Sequence, residues 1–466
     1  MTVFDHLTTA GSIECPVKTR SISDPNAVAV RSGDEVLTYK QLDELIQARV
    51  ASLAIKVGER VCFQPTQTIE QIVLYWALFR CHAVACPIST REPADVVTAR
   101  VQHVSGLWLP DIDRESTGEI DNSQLSPKTR LRLNDASTII FSSGSTAEPK
   151  AVVHDLRSHL LSAVGSNENI QLEPGDGWLL SLPTYHVGGI AILFRCAIAG
   201  ACVVVPSAGS SLVESVANSH VTHISVVTTQ LLRILAAGLD ATHLKAVLLG
   251  GSAIPVELVQ RARQEKLPIR TTYGMTEMAS QVTTSKETPG EAVNAGEVLR
   301  FRRLSVAEGG EILVAGPTLC LGYWEQEQPM SHCDADGWFH TGDVGVLDGS
   351  ILHVTGRVDN MFISGGENIH PEEIENSLLS FPGIRQAIVI PLTHSEFGFR
   401  PIAVVDIDDL DQEKITQHLR TELQAFKVPD AILPWPDADQ QGLKPSRKFL
   451  AKYVAKLAVE QGLSPS

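Results

Sequence analysis

Short apolar runs, each stopped by a Gly-, Pro-, Ser- or Thr-rich turn and followed by residues at helical spacing, repeat along most of the chain. Near the N-terminus, residues 27–30 and 35–38 read as strands around Ser32-Gly33-Asp34, which has hairpin-turn chemistry. Thr38 then precedes a predicted helix whose apolar stripe is Leu42, Leu45, Val50 and Leu53, running to about residue 54. Residues 60–63, 68–81 and 83–87 give strand, helix, strand, an order that implies parallel pairing. Residues 104–136 are polar and irregular and are expected to add no core layer. Alternation then resumes, with strands over 177–182, 201–205, 223–227 and 244–249 and helices over 156–164, 190–199, 212–219 and 256–264. This pattern predicts one α/β body.

Beyond Lys286 the pattern shortens to alternating strands such as 311–314, which predicts a small β-rich subdomain. After Gly356-Arg357-Val358-Asp359, a Pro-started helix over 371–379, strands over 386–391 and 401–406 and a helix over 412–426 make a small α+β unit. The predicted fold class is α/β, with a large N-terminal domain (residues 1–356) of α/β layers plus the β-rich subdomain, and a small α+β C-terminal domain (residues 357–466).

Composition narrows the class. With 466 residues, 43% hydrophobic and 20% charged, the chain is globular rather than disordered, and its length suits more than one domain. A net charge of −16 repels nucleic acid and anionic membrane, so any phosphate must be met by local clusters of donors. The eight cysteines are scattered, with no CxxC pair and no metal-type spacing, and are expected to be reduced core residues. No basic n-region with an apolar stretch opens the chain, and no apolar window is long enough to span a bilayer; the expected compartment is the cytoplasm.

Candidate chemistry sits at the turns. Ser142, Ser143, Gly144, Ser145, Thr146 and Lys150 follow a β-branched run and offer hydroxyls, backbone N–H groups and one mobile cation, a set suited to a triphosphate. This is not the GxxxxGK[ST] loop, because Pro149 precedes Lys150 and Ala151 follows it; a Ser-rich surface turn explains the segment equally well on its own. Gly250, Gly251 and Ser252 end a buried-strand pattern, where a flat ligand can approach the backbone or a tight turn is needed. In Tyr273-Gly274-Met275-Thr276-Glu277, a hydroxyl and a carboxylate side by side can place Thr276 on phosphate and Glu277 on magnesium. Thr184-Tyr185-His186-Val187-Gly188-Gly189 lies at a strand's carboxyl end, where ligands of open α/β sheets sit.

With the Ser142 loop, the Gly250-Gly251 turn and the Tyr273 segment, Thr341-Gly342-Asp343, Gly356-Arg357-Val358-Asp359 with its following Gly365-Gly366-Glu367-Asn368, and a near-terminal Lys444 complete six motifs in fixed order. In that order the chain closely resembles the acyl-adenylating superfamily of acyl-CoA synthetases, luciferases and peptide-synthetase adenylation domains, over nearly all its length. The resemblance implies a mobile C-terminal lid turning about a hinge at Asp359. It also implies two half-reactions: a carboxylate attacks the α-phosphorus of ATP to give acyl-AMP and pyrophosphate, and a thiol then displaces AMP. It implies ATP, Mg2+ and CoA as cofactor and co-substrates.

Carried over by position, Ser142 to Lys150 hold the β- and γ-phosphates. Gly250, Gly251, Ser252, Thr272 and Tyr273 frame adenine, and Gly274 and Met275 continue the nucleotide turn. Thr276 touches the α-phosphate, Glu277 holds magnesium, Asp343 binds ribose with Arg357 beside it, and Lys444 bridges carboxylate and phosphate. Gly365, Gly366 and Glu367 face CoA. The chain departs from the family, which usually has glycine where Ala147 stands and often another where Ala151 stands.

Residues 181–189, 248–258, 273–280 and Glu396-Phe397-Gly398-Phe399-Arg400-Pro401 together look most like the o-succinylbenzoate-CoA ligases of menaquinone or phylloquinone synthesis. Such an acid has an aromatic ring and a spare carboxylate, so its pocket needs a flat apolar wall and a donor. Arg195 and Arg233 are the candidate donors, and His186, Gly188, Gly189 and Gly251 are candidate pocket residues. The alternatives are an aryl- or short-chain acyl-CoA synthetase for another acid, a module that loads a carrier protein, and a non-catalytic binding protein. The last is disfavoured by Lys150, Glu277, Asp343, Arg357 and Lys444 standing together. Assembly state is left open, with a homodimer as one option.

Overall fold

The computed structural model describes residues 5–109, 129–142, 150–239, 241–251, 254–290, 293–394, 396–436 and 447–460. The expectations for Ser143, Gly144, Ser145, Thr146, Ala147, Ser252 and Lys444 lie outside the described residues.

The chain is a mixed α/β protein with a large N-terminal part and a smaller C-terminal domain. Parallel strands Gly177–Leu179, Cys202–Val205, His223–Val226, Ala246–Leu249 and Ile269–Met275 form the middle of a 13-stranded sheet. The hairpin Val28–Ser32 and Glu35–Thr38 closes one edge. At the other, Ser280–Thr284 turns back antiparallel on Ile269–Met275, and Glu297–Val298, Ile351–Arg357, Phe339–Asp348, Glu311–Ala315 and Arg303–Val306 continue from it. The β-rich segment is thus the antiparallel extension of this sheet.

Residues 60–63 and 84–87 do not join that sheet. Arg60–Phe63 and Val84–Pro87 belong to a 7-stranded sheet with Ala136–Ser142, Lys150–Asp155 and Gly322–Glu325. The helices between the two sheets explain the split. Ile69–Arg80 is buried at every position but Glu70, and a helix apolar all round must be covered on all sides. Trp76 and Phe79 of this helix pack on Phe194 of the second apolar helix, Val187–Ala199, with ring centroids 5.4 and 5.5 Å apart. A single alternating pattern therefore serves two sheets that share a helical layer.

Two expectations are corrected. Within 104–136, Arg130–Arg132 pairs with Ser12–Glu14, and Leu131 and Leu133 are fully buried, so this segment does add to the core. Its period-2 signal, Arg-Leu-Arg-Leu, was masked by the charged outer positions. In the helix Tyr39–Ser52, which Thr38 caps, the buried face is Tyr39, Leu42, Asp43 and Ile46, and Leu45 is 42% exposed. Asp43 belongs to that face because the buried Arg80 pairs with it at 2.5 Å and Lys18 at 2.9 Å. The helix Ala94–His103 was not anticipated.

The last strand of the large sheet ends at Arg357, and a 3-10 turn, Val358–Asn360, follows it. A separate five-stranded sheet then begins at Phe362 and packs on the helices Pro371–Leu379 and Gln412–Glu422 through Ile374, Leu378, Val389, Ile415 and Leu419. All eight cysteines are free thiols, and six of them are buried. Among the described residues, no helix is long and apolar enough to cross a membrane.

Candidate active site

Parallel strands bring their carboxyl ends to one edge, and the candidate turns gather there: Gly177–Leu179 leads to His186, Ala246–Leu249 to Gly250-Gly251, and Ile269–Met275 to Thr276. At the first of these ends, Thr184 is buried and held by Gln71, while Tyr75 Oη donates to its carbonyl at 3.0 Å. Gly189, in the first turn of the helix Val187–Ala199, lies so close to the preceding chain that a Cβ would sit 2.3 Å from the Pro183 oxygen. This seats the exposed His186, whose ring stands 4.7 Å from that of Tyr185.

Arg195 and Arg233 meet different fates. Arg195, on Val187–Ala199, is 1% exposed, lies 4.9 Å over the Trp178 ring, and donates from Nη2 to Gln281 Oε1 at 2.7 Å and to Ser280 Oγ at 3.2 Å. Its Nε has no partner, no carboxylate among the described residues pairs with it, and burial lowers its pKa to about 10. Nearby Arg302 is buried as well, and desolvation with the charge of Arg195 brings it to about 9. Arg233 is exposed on the helix Thr228–Ala236, and the structure does not bring it to Arg195.

On the nucleotide side, a bulge at Tyr273/Gly274 lets Gly274 approach Ser280 so closely that a Cβ would lie 2.1 Å from its oxygen. Tyr273 Oη donates to Asp343 Oδ2 at 2.7 Å, and Arg357 Nη1 donates to Asp343 Oδ1 at 2.5 Å. Burial, then the Asp343 charge, raises the Tyr273 phenol well above its ordinary pKa. Asp343 is oriented in turn: its N–H donates to Thr341 Oγ1 at 3.0 Å, and the neighbouring Gly342 N–H donates to Glu311 Oε1, also at 3.0 Å. Thr272 Oγ1 donates to the Thr283 carbonyl at 2.6 Å.

Ser142 and Lys150 are register partners, the last pair of the antiparallel strands Ala136–Ser142 and Lys150–Asp155. Lys150 Nζ sits 4.7 Å over the Tyr323 ring, and Tyr323 Oη donates to Glu277 Oε1 at 2.9 Å. Glu277 is 8% exposed, and no cation among the described residues pairs with its carboxylate. A buried carboxylate without a counter-charge, beside the Thr276 hydroxyl, is a hard-oxygen set that fits a divalent cation such as Mg2+. Tyr323 escaped the sequence reading. It lies in Gly322–Glu325, an ordinary alternating strand that nothing local marks as functional. In the C-terminal domain, Gly365-Gly366 is the turn between Phe362–Ser364 and Glu367–Ile369, and Gly365 N–H donates to the Phe397 carbonyl at 2.9 Å.

An α/β body of two sheets, with the Thr276–Glu277 turn at the carboxyl ends of its parallel strands and a separate C-terminal domain, is the architecture of a nucleotide-dependent acid-activating enzyme. The AMP-binding enzyme family model matches residues 18–324, and the AMP-binding enzyme C-terminal domain matches residues 373–441. The chain belongs to the AMP-binding enzyme family. It is 33% identical over 439 residues to the 2-succinylbenzoate–CoA ligase of Salmonella typhimurium, covering 92% of this chain and 95% of that protein. It is 34% identical over 449 residues to the enzyme of the same name from Haemophilus influenzae, covering 93% and 96%. Among solved structures, a point variant of E. coli MenE with bound OSB-AMS superposes with a TM-score of 0.84 at 29% identity, covering 95% of this chain and 98% of that one. The o-succinylbenzoate CoA synthetase of Bacillus subtilis, in complex with the acyl-adenylate intermediate OSB-AMP, gives 0.83 at 25% identity, covering 91% and 95%.

Proposed function

We propose that this chain is an o-succinylbenzoate-CoA ligase of menaquinone or phylloquinone synthesis. The observation that carries the reading is the match, along nearly the whole of both chains, to 2-succinylbenzoate–CoA ligases. A carboxylate oxygen of the acid attacks the α-phosphorus of ATP, and the bond to pyrophosphate breaks. The CoA sulfur then attacks the acyl carbon, the bond to the AMP oxygen breaks, and the thiol proton is released. The mixed anhydride turns a poor acyl donor into one with a stable leaving group.

In this reading Ser142 to Lys150 bind the β- and γ-phosphates, Thr276 the α-phosphate, Gly250 to Ser252 with Thr272 to Met275 the adenine side, and Asp343 with Arg357 the ribose. Glu277 holds magnesium, which when bound neutralises phosphate charge. His186, Gly188, Gly189 and Gly251 line the acid's pocket, Gly365 to Glu367 meet CoA, and Lys444 bridges carboxylate and phosphate. Arg195 supplies positive charge toward the spare carboxylate, a role supported by its burial without an acidic partner. Residues 1–356 and 357–466 act as two domains about a hinge at Asp359; the sheet that ends at Arg357 supports this division. We place the enzyme in the cytoplasm, which eight unpaired thiols support.

The test is pyrophosphate release with o-succinylbenzoate, benzoate and medium-chain fatty acids, with and without CoA. Turnover with o-succinylbenzoate alone, requiring CoA to continue, is expected. Turnover with another acid, or acyl transfer only to a phosphopantetheinyl protein, overturns the substrate while leaving the family in place.

A further inference from the structure

Beneath the Thr276–Glu277 turn lies a chain of polar side chains that the reaction as described does not use. His154, four residues after Lys150 on Lys150–Asp155, is fully buried, and its Nε2 is 2.7 Å from the Thr276 carbonyl oxygen. A carbonyl only accepts, so Nε2 carries the proton and Nδ1 is bare. Thr138 Oγ1 lies 3.4 Å from that Nδ1 and 2.9 Å from His159 Nε2. One assignment satisfies every contact. His159 Nε2–H donates to the Thr138 oxygen, the Thr138 hydroxyl donates to His154 Nδ1, and His154 Nε2–H donates to Thr276. The His159 ring is fixed in turn, lying flat on Phe194 at 4.9 Å and 3°.

The turn held by this chain needs holding. Ala279 has φ 52° and Ser280 φ 106°, left-handed values that cost non-glycine residues about 1–3 kcal/mol each. Two further contacts take its carbonyls: Cys320 N–H donates to the Glu277 oxygen and Ser162 Oγ to the Ala279 oxygen, both at 2.7 Å. Among these three holds, His154 takes the carbonyl of the very residue whose hydroxyl is assigned to phosphate. It also sits on the strand that opens with Lys150, the cation assigned to phosphate.

We propose that His154, oriented by Thr138 and His159, is a positioning residue that sets the Thr276–Glu277 turn against the nucleotide and its magnesium ion. This rests on the reading that Thr276 and Glu277 meet Mg·ATP. The test measures the dissociation constant of Mg·ATP by calorimetry, alongside kcat and the KM of each substrate, for His154→Phe, His154→Gln and Thr138→Val. Losing one buried hydrogen bond of about 1.4 kcal/mol predicts that His154→Phe weakens Mg·ATP binding about tenfold, with the KM of the acid unchanged. His154→Gln restores an N–H donor and returns binding to within about threefold of wild type; Thr138→Val shifts it about threefold in the direction of His154→Phe. 15N-histidine labelling is expected to show His154 as the Nε2–H tautomer.

Unchanged Mg·ATP binding in His154→Phe, equal losses for every substrate in His154→Phe and His154→Gln, or the Nδ1–H tautomer overturns the proposal. If His154→Phe does not fold, His154→Gln, Thr138→Val and the tautomer decide by the same criteria. Thr276→Ala and Glu277→Gln run beside them. If these bind Mg·ATP like wild type, the nucleotide reading of the turn has failed and the role of His154 falls with it. If they weaken binding and the His154 and Thr138 variants do not, only the positioning role is lost.

Discussion

Two 3-10 turns bear candidate reaction chemistry, and they are held in opposite ways. Thr276–Met278 buries Glu277 and Met278; His154 and Cys320 grip its main chain, and Ser162 grips that of Ala279 just after it. Val358–Asn360 buries no residue, and Val358 is 43% exposed. Its ties are polar side chains: Arg357 to Asp343 at 2.5 Å and to Asp359 at 3.5 Å, Asn360 to Glu372 at 2.5 Å, and Glu372 on to Arg447 at 3.1 Å. A buried hydrogen bond left without its partner costs about 1–3 kcal/mol, whereas water replaces an ion pair as open as that of Arg357 with Asp359, whose side chain is 53% exposed, for about 0–1 kcal/mol. The first turn is built to keep one geometry, and the second is held by side-chain contacts that lie closer to water.

The largest effect that tests this contrast is at Glu277. Glu277→Gln is expected to lower kcat/KM for pyrophosphate release by about 10²-fold, the scale for loss of one preorganised charged group, with saturation by Mg2+ lost. A normal Mg2+ curve would break the fixed-turn side of the comparison.

Acid comes next. Burial brings His154 from 6.5 to about 4, so between those values the unfolded chain binds more protons than the folded one. The stability this group contributes is full above pH 6.5 and is lost as pH falls toward about 4, an amount of ~3 kcal/mol. His159 and His223, also lowered by burial, act in the same sense. Urea unfolding at pH 7 and pH 4.5 should show a smaller difference for His154→Gln than for wild type. His340 has the opposite sign. Its hydrogen bond to Glu311 raises it above 6.5, so its contribution is present below that pH and fades as pH rises, and exposure keeps it small.

At the second turn, Arg357→Ala is expected to weaken ATP use about tenfold, by loosening Asp343, while changing unfolding free energy by less than about 1 kcal/mol. A large loss of stability in urea would show that this turn is fixed like the first. The smallest effect is that of salt. Raising NaCl from low to molar levels should speed amide exchange around residues 357–360 and leave 276–280 unchanged, since only exposed charges are screened.

What could be read in the sequence follows from how local each signal is. Thr38 as a cap, the strand Arg60–Phe63 and the helix Val256–Gln264 were legible because caps, β-branched runs and periodicity act over a few residues. So were the turns at Gly250 and Thr276, where strand ends meet Gly and hydroxyl residues. The two-sheet arrangement was not, because alternation does not say which sheet a strand joins; that depends on Trp76 and Phe79 finding Phe194 across 115 or more residues of sequence. Tyr323 and His154 were missed for the same reason. A tyrosine in an alternating strand and a histidine in an apolar run gain their meaning from Glu277 and Thr276, which are far away in sequence.

The cysteines offer an unplanned reporter. All eight lie at or before residue 333, six of them are buried, and burial also pushes the Cys320 thiol up, away from the reactive thiolate. A pulse of alkylating reagent should therefore mark Cys333 first and the others only as the large domain opens. The labelling count would time the unfolding of that domain alone, and the C-terminal domain, having no thiol, would come apart and re-form unseen.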